Sequence, residues 1–327
     1  MAGILVIGEV QDGHIAPPTR EALTMGRSLA EASGVTVAVA LISHALGMSA
    51  QEAIAAGADQ VYTVADGLLT QPQIDLYLAA YQAVCATVAP DIVLLSRTDI
   101  GRELAPRLAC RLGVSLLQDC LRLEIDADSG RLIATRPVYG GNVLAKVRSA
   151  GTPQVAAIRP KVCDPLEPDT SRQGEVTPVA VALDAAMARV TIVRQEIRES
   201  AGVKLEDAHI VVAGGRGLGG PGPFAELEEL AGLLGAGIGA SRAAVDAGWV
   251  PANWQIGLTG RTITPDLYLT VGISGASQHM AGCSNSKVIV AINKDREANI
   301  FRESRYGVVG DWETVLPGLI QGIRDLE

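Results

Sequence analysis

Between Ile210 and Val309 the sequence repeats one design, a short apolar run followed by a residue able to hydrogen-bond a ligand. Arg216 falls in AGGRGLGG, Ser241 and Arg242 close GIGASR, and Gln255 and Thr259 belong to QIGLTG. Ser274 and Gly275 end DLYLTVGISG, Gln278 and His279 follow at once, Asn293 ends KVIVAIN and Asp311 ends GVVGD. Gly215, Gly217 and Gly220 satisfy G-x-G-x-x-G between a predicted strand at 208–212 and a predicted helix at 224–234. Glycines there let backbone amides approach a pyrophosphate, and the helix N-terminus favours its charge. Any one of these polar residues has a plain structural alternative as a helix cap. Together they favour a shared crevice for one large, phosphate-bearing cofactor.

Two details separate this pattern from a standard NAD site. Pro221 and Pro223 delay the helix, and the position expected to carry a ribose-binding carboxylate reads Ser241–Arg242. A fixed cation at that place suits an electron-rich group or a phosphate. The four histidines (His14, His44, His209, His279) pair with no Ser or Cys nucleophile in sequence, so no catalytic residue is assigned.

The elements that must position these residues read as α/β. Upstream, strands are predicted at 4–8, 35–41, 60–64 and 91–96, alternating with helices at 19–32, 49–56, 74–89 and 101–112. Repeated β-then-α units imply a parallel sheet covered on both faces. Arg97, Thr98 and Asp99 sit at a strand's C-terminal end, where they read either as a nucleotide pocket or as a loop whose Thr98 or Asp99 caps the next helix. No glycine-rich phosphate loop accompanies them, which favours the cap. After residue 120, short strands at 121–125, 131–138, 142–147 and 155–158 look antiparallel and appended. CDPLEPDTSRQGEVTP reads as a surface excursion and 189–196 as a last strand. The polar SAGVKLED then marks a boundary, giving domains of 1–200 and 201–327.

The chain has 327 residues, 48% of them hydrophobic and only 3% aromatic, enough for two packed cores. A formal charge of −9 argues against nucleic-acid binding. Five scattered cysteines without a C-x-x-C pair disfavour a disulfide framework or a metal site, so no metal is expected. The opening residues lack a basic region and a cleavage site, and no apolar stretch is long enough to span a bilayer. The expectation is a cytoplasmic protein without membrane insertion.

The series GGRG, GASRAAVDAG, QIGLTG, LYLTVGISGASQHMAG, KVIVAINKD and YGVVGD resembles the α subunit of electron transfer flavoproteins. The likeness is dense over 203–319 and thinner at RTDIGRELAPRLACRLG and RPVYGGNVLAKVRS. Departures are Ser277, where the family usually has Ile or Val, and Leu258, where many members have Gln. The resemblance implies a C-terminal Rossmann-like domain holding FAD. The N-terminal domain would be shaped like a nucleotide-binding domain, carry no nucleotide of its own, and dock a β subunit in a heterodimer.

It further implies that Arg242 lies over the isoalloxazine, raising its potential and stabilising its one-electron-reduced anion. Thr259 would lie near N5 and His279 near O2. Arg216, Ser241, Gln255, Ser274, Gly275 and Gln278 would line the flavin, ribityl chain and phosphates, and Asn293 and Asp311 would hold the adenosine half. Leu258 removes a potential donor beside Thr259. The implied role is an electron carrier from acyl-CoA or other dehydrogenases to a quinone reductase or similar acceptor. The alternatives are an electron-bifurcating member oxidising NADH at a second flavin in the β subunit, an independent NAD-dependent dehydrogenase, and a structural subunit whose site has decayed.

Overall fold

The computed structural model describes residues 3–141, 143–194, 204–206 and 208–326. It divides into two compact units, Met1–Val138 with Val143–Gln195, and Tyr139–Asn142 with Glu196–Glu327.

In the first unit β1 (Ile4–Gly8) is wholly buried and leads into a two-residue hairpin, β2 (Val10–Gln11) and β3 (His14–Ile15). Helix α1 (Pro17–Ser33) starts on two prolines, whose missing N–H groups cost nothing in a first turn, and ends at Gly34 with φ 67°. There follow β4 (Val37–Ser43), α2 (Ser49–Ala55), β5 (Gln60–Ala65), α3 (Ile74–Val88), β6 (Ile92–Ser96), α4 (Asp99–Arg111) and β7 (Leu116–Cys120). Three short strands, β8 (Arg122–Ile125), β9 (Leu132–Val138) and β10 (Val143–Arg148), precede β11 (Gln154–Ile158) and β12 (Glu175–Pro178). The seven-stranded sheet has the order β12-β5-β4-β1-β6-β11-β7 and is parallel throughout. Its continuous aliphatic runs are buried on both faces, as a helix-covered parallel sheet requires.

Several expectations are corrected here. The strand at 155–158 is not antiparallel: it lies between β6 and β7, parallel to both. Its five residues, QVAAI, are all buried, and a run that is apolar on both faces belongs in a sheet centre. The three antiparallel strands form a sheet of their own, β10-β9-β8. The Pro-rich excursion contains β12, which adds to the edge of β5, where Pro178 is tolerated. Described residues 189–194 form no strand; 195 and 196 lie outside the described residues, as does much of SAGVKLED.

At the end of this sheet β1 and β6 diverge in connection, the place where such folds bind ligands. The chain's own side chains fill it. Glu9 accepts a hydrogen bond from the Thr98 hydroxyl, and Tyr81 donates to the Gly8 carbonyl at 2.6 Å. The cavity left among Glu9, Tyr77, Tyr81 and Ser96 is about 20 Å³, room for one water. Burial raises the Glu9 carboxyl above its usual range, with Thr98 opposing. Thr98 is the N-cap of α4, accepting from Gly101 N at 3.0 Å.

The second unit holds β13 (Ile210–Gly214), α5 (Phe224–Leu233), β14 (Gly237–Ser241), α6 (Arg242–Asp246), β15 (Gln255–Ile256), β16 (Leu267–Val271), α7 (Ser277–Met280), β17 (Val288–Asn293), α8 (Ile300–Glu303), β18 (Tyr306–Val309) and α9 (Trp312–Arg324). Its parallel sheet runs β15-β14-β13-β16-β17-β18, so the order reverses between β13 and β16. One face packs on α5 and α9 through Leu227, Leu230, Leu316 and Ile320. On the other, Tyr268, Ile256, Met280 and Cys283 form a second core. All four residues of β18 are exposed at the sheet's edge.

The glycines of this unit do unequal work. A Cβ on Gly215 would lie 2.2 Å from the Gly272 carbonyl, whereas Gly232, inside α5, has open space. Gly215→Ala is therefore expected to destabilise this unit by at least about 2 kcal/mol, and Gly232→Ala to stabilise it by up to about 1 kcal/mol. All three tryptophans (Trp249, Trp254, Trp312) lie in this unit, so urea unfolding followed by their fluorescence reads it selectively. Equal midpoints for the two variants would contradict the packing described.

Candidate functional site

The parallel strands β13, β14, β16, β17 and β18 deliver their C-terminal ends to one edge of the sheet, and most of the polar residues singled out above follow those ends. Between β13 and β16 the two loops meet backbone to backbone. Gly215 N donates to Val271 O at 2.9 Å and Gly217 N to Gly272 O at 3.0 Å. Those two amides are engaged within the protein. The expectation that they approach a pyrophosphate is thus corrected: at these positions glycine is required for loop stacking. Gly220 has open space around it. Helix α5 begins only at Phe224, after the two prolines, as the sequence predicts.

Arg216 opens the turn after β13 and is exposed. Ser241 is the last residue of β14; its hydroxyl oxygen is buried and has no hydrogen-bond partner. Arg242 begins α6, mostly exposed, its Nε 3.1 Å from Asp246 Oδ2. Gln255 Nε2 donates to Thr259 Oγ1 at 2.9 Å, so the Thr259 hydroxyl, already accepting, keeps its own proton to give. Leu258 N donates to the Gln278 carbonyl at 2.7 Å, tying this turn to α7. Ser274 and the Gln278 residue are exposed, while Gly275 is buried with φ 76° and would place a Cβ 2.2 Å from Ile300 N.

Asn293 and Asp311 serve the scaffold. Asn293 Nδ2 donates to Ile273 O at 2.9 Å while its Oδ1 accepts from Asp295 N, and Asp311 caps α9 by accepting from Glu313 N at 3.2 Å. The helix-cap alternative holds for Asp311. Both lie at the end of β17 or β18, on the same edge as the rest.

His279 is buried, not set at the surface. Its Nε2 meets the Tyr268 hydroxyl at 2.7 Å, and the two rings stack at 26° with centroids 6.1 Å apart. Its Nδ1 is buried and makes no hydrogen bond of acceptable geometry. Burial pushes the imidazole down to about 4, the nearby Ile256 backbone opposing, so the ring is neutral at pH 7. Burial likewise pushes Cys283 up to about 12; it is a packing residue and no nucleophile. Tyr268 was missed in the sequence. The usable signal was a hydroxyl-bearing ring in a mostly aliphatic strand, which must find a partner when buried.

Two buried side-chain atoms without a full hydrogen bond, Ser241 Oγ at the end of β14 and His279 Nδ1 in α7, fit a bound ligand that supplies them. Among the described residues no group of three or more His, Cys, Asp or Glu is placed to hold a metal ion, and no helix is long and apolar enough to cross a membrane.

Residues 4–184 match the electron transfer flavoprotein domain and residues 204–284 the electron transfer flavoprotein FAD-binding domain. The chain is 41% identical over 325 residues to electron transfer flavoprotein subunit alpha of Thermoanaerobacterium thermosaccharolyticum, covering 99% of this chain and 98% of that protein. It is also 41% identical to the Bacillus subtilis subunit alpha, at the same coverages of 99% and 98%. Protein FixB of Azorhizobium caulinodans is 39% identical, across 98% of this chain and 88% of its own length. The chain belongs to the electron transfer flavoprotein α-subunit family, and its cofactor is FAD.

The depressed His279 value has a consequence for stability. An ordinary histidine near 6.5 in the unfolded chain takes up a proton that the folded ring refuses. Stability from this residue is complete above pH 6.5 and is lost as pH falls towards 4. Between pH 7 and pH 5 the flavin-free protein is expected to lose about 2 kcal/mol from this source. His279→Gln should flatten that part of the profile in tryptophan-monitored urea unfolding; a slope identical to the parent's would refute the assignment.

Proposed function

We propose that this chain, paired with a β subunit in a heterodimer, carries electrons on FAD from a dehydrogenase to a quinone-reductase-type acceptor. The observation that carries the reading is a pair of buried side-chain atoms without a full hydrogen bond, Ser241 Oγ at the end of β14 and His279 Nδ1 in α7, in a unit whose residues match an FAD-binding domain. When bound, the flavin supplies the redox chemistry, accepting and releasing electrons singly or in pairs. The chain's residues bind it and set its potential.

Arg242 offers a fixed positive charge to the electron-rich end of the ring system, in competition with Asp246. Thr259, with its oxygen held by Gln255, offers an oriented hydroxyl proton to a ring nitrogen. His279 offers a neutral imidazole to a ring carbonyl. Ser241, Ser274, Gln278 and Arg216 have free polar groups for the ribityl chain and phosphates. Asn293 and Asp311, whose side chains are held by the backbone, shape the adenosine end more than they grip it. Leu258 contributes an apolar side chain beside Thr259 and a main-chain amide that fixes the turn. The filled crevice beside Glu9 supports a first domain that holds no nucleotide of its own, and the pairing with the β subunit falls to that domain on this reading.

The test is co-expression with the β subunit followed by cofactor counting and reductive titration. One FAD per heterodimer, reducible by a dehydrogenase with its substrate and silent to NADH, is the expected result. Two FAD with NADH-driven reduction would replace the simple carrier with a bifurcating one, and a colourless complex binding only NAD would overturn both. Arg242→Ala is expected to retain flavin but lower its one-electron potential by on the order of 100 mV, the equivalent of roughly 2 kcal/mol of lost charge stabilisation. An unchanged potential would remove Arg242 from the ring's surroundings.

A further inference from the structure

We propose that Tyr268 is a positioning residue of this site: its hydroxyl donates to Nε2 of His279 and so holds the imidazole proton on Nδ1, the atom offered to the cofactor. The second half of that statement rests on the functional reading above; the first half stands on the protein alone.

Tyr268 lies in β16 between Leu267 and Leu269, paired with Val211 of β13 and Ile289 of β17, and is fully buried. A phenol in that position must have its hydroxyl satisfied or lose stability. Its oxygen is 2.7 Å from His279 Nε2, a full hydrogen bond. The direction of that bond follows from the neighbours. Were Nε2 to carry the proton, the phenol oxygen would accept and its own hydrogen would need another acceptor. Cys283 is the nearby candidate: its sulfur is within hydrogen-bonding reach of the phenol, while its own hydrogen is directed to the His279 carbonyl at 3.4 Å. A thiol is also a poor acceptor, whereas an unprotonated imidazole nitrogen is a good one. The phenol therefore gives its proton to the bond, and Nε2 receives it.

A neutral ring that accepts at Nε2 must carry its hydrogen at Nδ1. That atom makes no hydrogen bond of full geometry, with the Ile256 backbone lying near the ring. The arrangement has the logic of a metal-site histidine, in which the hydrogen bond on one nitrogen decides what the other presents. Here the presented group is an N–H donor, suited to a carbonyl oxygen. The stacking of the two rings adds orientation, since at 26° between planes the imidazole has little room to flip. Tyr268 thus decides both which nitrogen faces outward and that it faces outward as a donor. It need not touch the ligand.

The decisive measurement is nitrogen NMR on ¹⁵N-histidine-labelled heterodimer, with the His279 signals identified by their loss in His279→Gln. The expected pattern is a protonated Nδ1 and a bare Nε2. Tyr268→Phe keeps the ring and removes only the hydroxyl; it should fold, as checked by its thermal transition, while the His279 signals move to the other tautomer or to a mixture. FAD affinity should fall about fivefold, the worth of one neutral hydrogen bond, with a change in midpoint potential that a purely structural role would not produce. An Nε2–H ring in the parent, or a Tyr268→Phe protein with unaltered nitrogen shifts, would overturn the tautomer assignment. Altered shifts with unaltered affinity and potential would overturn the link to the cofactor. A heterodimer that purifies without flavin would instead defeat the functional reading, and the nitrogen shifts would still decide the tautomer.

Discussion

The second domain is organised around a contact between two loops with no side chains in it. Gly215 and Gly217, after β13, lie against the end of β16, where Gly215 N donates to Val271 O at 2.9 Å and Gly217 N to Gly272 O at 3.0 Å. This joint closes the place where the strand order reverses. By bringing the ends of β13 and β16 together it sets the height at which Arg216 on one side and Ser274, Gly275 and α7 on the other stand above the sheet. A single methyl group in the joint would part the loops, and with them the two halves of the site. Glycine can serve such folds in several ways; here the geometry identifies main-chain stacking as the one that applies at these positions.

The two domains treat the same architectural opportunity differently. Each has a parallel sheet whose order reverses beside its first strand. In the first, Glu9 and Thr98 meet across the gap and Tyr81 closes it from below, so that almost no free volume remains. In the second, small residues stand at the corresponding ends, and polar atoms of Ser241 and His279 are left buried without a full hydrogen bond. What separates the two, where their topologies agree, is that the chain's own side chains fill the first crevice.

Much of this was legible in the sequence because burial on both faces writes itself as continuous aliphatic runs. Ile4–Gly8 and Asp91–Ser96 read as strands from composition alone, and Gly34 and Pro90 marked helix ends. What was not legible follows from longer range. Leu116–Cys120 is only partly buried and carries Gln118 and Asp119, so it lacks the run that marks its neighbours. Val155–Ile158 read as a strand, yet its direction depends on partners more than fifty residues away in β6. Glu175–Pro178 is exposed and became a strand only because β5 offered an edge. At the site, residue types gave the donors at strand ends. They could not show that Asn293 and Asp311 spend their polar groups on the backbone, or that His279 lies beneath the surface with Tyr268.

The last strand of the second sheet carries a liability of another kind. Tyr306, Val308 and Val309 are 61%, 42% and 55% exposed, on a four-residue edge with no charged residue in it. Open backbone groups flanked by β-branched side chains are a template for strand addition between molecules. The strand's shortness and the chain's net charge of −9 are the restraints against it. Colloidal behaviour of the isolated chain should accordingly be governed by ionic strength: salt that screens the mutual repulsion exposes the edge to its own copies, and self-association, not unfolding, then limits the concentration at which the chain stays in solution.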